Sequence, residues 1–247
     1  MSQLIIGLGH RARQGKDYAA QYIADTFGRV YILHWADALY KEVRHADHKA
    51  NFPLIKKEGN IYSIFDTIGR DGSPIHRLFT KDEVPKLDKI FSNRSISEYE
   101  GMEEKDSELL QFWGTDYRRK MFDENYWVNR TLQDIKSIDD NSIIVIPDTR
   151  FLNEYTTIKA MNGVYVEVKR YHPDGSRYYA DDRDPNHPSE SELDDINYDY
   201  IIKAQSGDVG TLKDFIINIV KMEAAIKAYA LCYKENIKYV AATIAVA

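Results

Sequence analysis

Residues 4–27 read LIIGLGHRARQGKDYAAQYIADTF, and the order of residue types in that stretch decides the architecture. Leu4-Ile5-Ile6 is a short apolar run with the composition of a buried strand. Gly7 and Gly9, two arginines and the pair Gly15-Lys16 follow; Ala19, Ala20, Ile23 and Phe27 then recur at helical spacing. Strand, glycine-bearing turn, lysine and helix in that order make a phosphate-binding (P-loop) pattern. Such a turn suits a polyphosphate because its N–H groups point at the phosphate oxygens and the helix dipole favours negative charge there. Arg11, Arg13, Gln14, Gly15, Lys16 and Asp17 are therefore candidates for the nucleotide phosphates, with Lys16 reaching them as a mobile point charge.

Two positions depart from GxxxxGK[ST]. The first glycine falls on His10, with Gly9 one place early, and the usual hydroxyl is replaced by Asp17. A carboxylate is a good hard-cation ligand, so Asp17 is a candidate for Mg²⁺. It equally suits a helix cap or a group that positions Lys16. The plain alternative for the whole stretch is a glycine-bearing turn without a ligand.

The 247 residues suffice for one large α/β domain with insertions or for two small ones, and the 43% apolar and 29% charged fractions are those of an ordinary globular protein. A net charge of −6 argues against an extended surface for a nucleic acid polymer, though not against a local basic pocket. Cys232 is the sole cysteine, which excludes an intramolecular disulfide and fits a reducing compartment. No basic start with a long apolar run opens the chain, and the apolar stretch 239–247 is too short to span a bilayer. The expectation is a cytoplasmic protein (host cytoplasm for a viral one) without a membrane partner.

Residues 30–34 (VYILH) form a second candidate strand, leading into a helical pattern at 36–41. From 51 to 106 periodicity is lost among glycines, prolines and charges, which reads as an insertion of loops, short helices and a hairpin. Leu109, Leu110 and Trp113 fit a helix face that Gly114 interrupts, with Thr115 or Asp116 as cap for a short following helix. A further helix spans 125–137, with Val128, Leu132 and Ile135 on one stripe. The run 143–146 has the continuous apolarity of a parallel strand covered on both faces. A helix, a strand at 164–168, a polar loop at 170–195 and a strand at 198–202 follow. The last long helix opens near Thr211, with Leu212, Phe215, Ile219, Met222 and Ile226 inward. Strands alternating with helices indicate a single α/β domain over 1–247, built on about five parallel strands. The tail 230–247 extends the last helix or packs on a second copy in a homodimer.

Ligands of open parallel sheets bind beyond the C-terminal strand ends. That rule selects Trp35, Asp37 and Lys41 after the second strand and Asp148, Thr149 and Arg150 after the third. Asp148 is a candidate to hold Mg²⁺, and Arg150 to clamp a phosphate bidentately, a mutual salt bridge being the plainer account. The loop after the fourth strand carries Arg170, Arg177 and Arg183, either as a solvated surface or as a lid that closes arginines on transferring phosphates. Gln111, Trp113, Thr115 and Asp116, with Trp127 downstream, offer the amide and indole groups of a base pocket; for the tryptophans the plain alternative is core packing.

GHRARQGKD, LLQFWGTD with FDENYWVNR, and VIPDTRFLNEYTTIKAMNG, in this order, resemble the bacteriophage deoxynucleoside monophosphate kinases over roughly residues 1–220. The resemblance implies a P-loop NTPase fold, a three-layer sandwich with an NMP-binding insertion at 51–106 and a lid at 170–195. It implies transfer of the ATP γ-phosphoryl to a dNMP with Mg²⁺. Lys16, Arg150 and Arg170 would then be catalytic. Asp17 and Asp148 would hold the metal. Trp35, Asp37, Lys41, Gln111, Trp113, Thr115, Asp116, Trp127, Asp148, Arg150, Glu154, His187 and Glu190 would line the acceptor side. Rival readings are another small P-loop kinase, acting on a sugar, a small acid or a polynucleotide end, and a nucleotide-binding module that switches without transfer.

Overall fold

The computed structural model describes residues 3–44, 54–58, 61–66, 75–78, 110, 112–120, 122–181, 186 and 188–246. The chain divides into two compact units. The first comprises Met1–Trp35 with Thr131–Ala247, and the second Ala36–Arg130.

Five strands build the first unit: β1 (Leu4–Gly9), β2 (Val30–Ile32), β6 (Ile143–Thr149), β7 (Val164–Tyr171) and β8 (Tyr200–Gln205). They form one all-parallel sheet in the order β2-β6-β1-β7-β8. Alternation along β1 separates its two faces. Leu4, Ile6 and Leu8 join Ala19, Ala20 and Ile23 of helix α1 (Lys16–Thr26) and Leu212, Ile216, Ile219 and Val220 of the final helix, Val209–Val246. Gly7 and Gly9 face the other way, toward Ile158 of the helix Leu152–Ala160 and Tyr165 of β7. Helices thus cover both faces, and the buried stretches 4–6 and 143–146 read as unbroken apolar runs.

The chain leaves β1 toward one edge of the sheet and leaves β7 toward the other. The crevice beyond the C-terminal ends of these neighbours is therefore the topological switch point.

Several expectations shift. β6 runs on through Pro147 to Thr149, because Gly7 pairs with Ile146 and Gly9 with Thr149, leaving one extra residue on β6. Proline lacks an N–H for the ladder, and a bulge is where a sheet accommodates it. β7 continues to Tyr171, so Arg170 lies on a strand rather than in the loop. The final helix buries Leu212, Ile216, Ile219 and Val220, whereas Phe215, Met222 and Ile226, expected inward, are exposed. Its helical structure extends through Val246, so the tail continues it. Among the described residues no helix is long and apolar enough to cross a membrane.

In the second unit, β3 (Leu54–Glu58), β4 (Ile61–Asp66) and β5 (Ile75–Leu78) make an antiparallel sheet, all inside the 51–106 stretch. Helix α2 is Asp37–Arg44. A π-helical segment, Phe112–Arg119, runs through Gly114 without the expected break, taking Thr115 and Asp116 inside it instead of at a cap. A Cβ on Gly114 would meet Leu39 Cδ2 at 2.9 Å, and its carbonyl accepts the Trp127 indole N–H at 2.9 Å. The helix Tyr126–Lys136 follows, with Val128 and Ile135 buried as its periodicity predicts.

Candidate functional site

Residues 10–15 wrap around Lys16. Left-handed backbone at Arg13 (φ 56°) and Gly15 (φ 96°) turns the chain from β1 into α1. A left-handed conformation at 15 suits glycine, which has no Cβ to strain. His10 does not share that conformation, so the position needs no glycine. The glycine of this strand end stands at Gly9 for another reason: a Cβ there would lie 1.3 Å from the Tyr165 hydroxyl oxygen. The histidine that replaces the expected glycine is fully buried, with Nε2 3.0 Å from Asp194 Oδ1. Burial holds its imidazole below the ordinary range, against the raising effect of Asp194.

Lys16 is 5% exposed and donates from Nζ to the Arg11 carbonyl. Burial, followed by the Arg150 charge, lowers its pKa to about 8, while Asp17, Glu190 and Asp148 act the other way. Five of the expected residues are thereby brought into one electrostatic neighbourhood. Asp148, at the β6 bulge, accepts the Trp35 backbone N–H at 3.0 Å. Arg150 pairs with Glu190. Glu154 is buried and accepts the Arg150 and Phe151 N–H groups at 2.8 and 3.2 Å, which secures the start of the helix Leu152–Ala160. Asp17 is exposed, and the His34 ring 3.8 Å away keeps its carboxyl below the usual range.

Beyond the α1 N-terminus lies a cleft of about 400 Å³ lined by Arg13, Gln14, Gly15, Asp17, Tyr18, Arg170, Ala204, Gln205, Gly207, Asp208, Val209 and Leu212. No side chain caps α1 at Gly15, and the first N–H groups of a helix have no partners within it. Gln14 ties the walls together: its Oε1 accepts the Arg170 N–H at 2.7 Å, and its Nε2 donates to Tyr178 O at 3.1 Å. Arg170 donates from Nε to Ser206 Oγ at 2.8 Å and lies over the Tyr178 ring at 4.4 Å.

Comparison with protein-family models finds no match to this chain, and comparison with curated proteins finds none either. The assignment of a role therefore rests on the residues themselves.

Trp35 is 2% exposed and its indole donates to Thr149 Oγ1 at 3.1 Å, so it packs in the core and orients the end of β6. Trp127 is equally buried, with its indole N–H taken by Gly114. Trp35, expected on the acceptor side, and Trp127, expected in a base pocket, both have their indole N–H groups engaged within the protein. Asp37 and Lys41 lie in α2, and Trp113, Thr115 and Asp116 in the π-helical segment, all within the second unit. Thr115 is exposed, while the Lys41, Trp113 and Asp116 side chains, with Gln111 and His187 entire, lie outside the described part. Arg177 pairs with Glu167 at 2.8 Å. Among the described residues no group of three or more His, Cys, Asp or Glu could hold a metal ion.

Sequence reasoning missed the 205–209 wall of the cleft. The rule of C-terminal strand ends would have found it, had the fifth strand been placed at Tyr200–Gln205 instead of 198–202. It also missed Asp194, whose bonds to His10 and Arg11 span more than 180 residues.

Proposed function

We propose that the chain is an ATP-dependent P-loop kinase whose acceptor is a deoxynucleoside monophosphate. One observation carries the phosphate-binding part: the uncapped N-terminus of α1, entered through left-handed Gly15 and backed by buried Lys16, opens on a cleft flanked by Arg13 and Arg170. Donors of that kind at a helix start favour a polyphosphate, and about 400 Å³ falls within the size range of small-ligand pockets. The sheet supports the reading, since the cleft lies at the switch point. The acceptor class rests on the motif resemblance set out above.

In this reading the triphosphate lies along residues 13–17, and the nucleoside end extends toward Arg170 and residues 205–209. Lys16 and Arg150 neutralise charge on the transferring phosphoryl group. The acceptor phosphate oxygen is already nucleophilic, so positioning and charge stabilisation supply the catalysis without a general base. Asp17 and Asp148 are the carboxylates that would hold a Mg²⁺, which would neutralise phosphate charge when bound.

A coupled assay of ADP formation over the four dNMPs and their ribose counterparts tests the proposal. Acceptor-dependent ADP from a dNMP supports it. ATP binding without acceptor-dependent ADP would instead assign a switching module. One observation favours that second reading: Glu190 already engages Arg150 and the Ala12 N–H, donors that transfer would use.

A further inference from the structure

Residues 188–194 present three carboxylates at alternate positions, and each is held by donors around the loop. Glu190, 4% exposed, accepts the Ala12 N–H at 2.8 Å through Oε2 and pairs through Oε1 with Arg150 Nη1. Glu192 accepts the N–H of Leu152, the first residue of its helix, at 2.8 Å. Asp194 accepts from Arg11 Nη2 at 2.5 Å and Nε at 3.3 Å, and contacts His10 at 3.0 Å.

Glu190 differs from the other two in where it sits. A loop N–H together with a guanidinium is a donor set for a phosphoryl oxygen as much as for a carboxylate. Lys16 lies within electrostatic reach of the same carboxylate. One negative group can occupy this position at a time, because a second buried anion beside it would meet direct repulsion.

We propose that Glu190 is an internal plug: its carboxylate stands in for a phosphoryl group on Ala12 and Arg150, and an incoming anionic substrate displaces it, lifting residues 188–192 while Asp194 stays anchored. The inference rests on the phosphate-loop reading. Glu192, which bonds the Leu152 N–H, draws the segment back when the substrate leaves, while Asp194 stays anchored on Arg11 and His10. The free protein then binds anions with an apparent affinity reduced by the fraction of molecules that are plugged.

The test combines hydrogen–deuterium exchange across 188–192 with calorimetric titration of inorganic pyrophosphate, in the wild type and in Glu190→Gln. Saturating pyrophosphate should speed exchange of 188–192 in the wild type. Glu190→Gln should show fast exchange without ligand and bind pyrophosphate about tenfold more tightly. Unchanged or slower exchange in saturated wild type overturns the plug, as does equal or weaker binding by a folded Glu190→Gln. If the variant does not fold, the wild-type exchange comparison decides alone. If neither pyrophosphate nor ATP binds the wild type, the phosphate-loop reading fails and the plug fails with it; binding that leaves 188–192 unmoved sinks the plug alone.

Discussion

The two halves of the loop around Lys16 are built on opposite principles. Residues 10–12 are clamped: His10 and Arg11 hold Asp194, and the Ala12 N–H holds Glu190. Residues 13–15 form one wall of a cleft, with an uncapped helix start behind them. Polar groups in the first half find partners inside the protein, which rigidifies it. The second half lines the cleft with Arg13 and the start of α1, while the Gln14 side chain is itself held by Arg170 and Tyr178. A site that binds a polyanion needs both, since donors must be held in place before the anion arrives.

The sharpest way to break this comparison is Lys16→Ala. With fold retained, as read by circular dichroism, kcat for ADP formation should fall about a thousandfold, the loss expected for removing a charge-stabilising donor. Near wild-type turnover would remove the open half from the chemistry.

Gly9→Ala probes the strand end that carries the closed half. The new methyl collides with Tyr165, and overpacking of this kind costs roughly 3 kcal/mol. Denaturant unfolding should show the loss, and Gly9→Ala with Tyr165→Ala should recover part of the strain. An unchanged midpoint would mean that Tyr165 does not occupy that space.

Asp194→Asn should lower stability by about 2 kcal/mol, as charged hydrogen bonds to His10 and Arg11 are weakened, while KM for ATP changes little. Arg170→Ala should do the reverse, raising KM for ATP about tenfold with little change in melting temperature, the effect of losing roughly one charged contact. If both variants altered the same quantity, the division between clamp and cleft would not hold.

The smallest effect is a protonic one. The Lys16 ammonium titrates near 8 in the folded chain against 10.5 for the unperturbed group. Between those values the unfolded chain binds more protons, so the penalty for burying the ammonium, full below pH 8, is relieved as pH rises toward 10.5. A bound polyphosphate favours the charged form. ATP binding near pH 9 should therefore take up a proton, measurable by calorimetry in buffers of different ionisation enthalpy and absent in Lys16→Ala. No uptake in the wild type would mean that Lys16 does not meet the phosphates.

Much of the sheet was legible because strands and helices announce themselves by local period. The five expected strands all occur, displaced at their ends by two or three residues. Those displacements mattered most at β8, where they hid residues 205–209, and at β6, where the bulge carries Asp148. The final helix shows the limit of periodicity. Its sequence offers apolar residues around much of its circumference, and packing against α1 and the sheet, not composition, selected Ile216 and Val220 over Phe215 and Met222.

From the sequence alone came the alternation of strand and helix, the glycine turn and the lysine at the first helical position, because each is specified by neighbours a few residues away. The tertiary structure decided which donors were engaged and which faced the cleft. Ala12 meets Glu190 across 178 residues and Arg170 meets Gln14 across 156. Partners that distant leave no periodic trace in the chain; only the packing of β1 beside β6 and β7 brings them within hydrogen-bond reach.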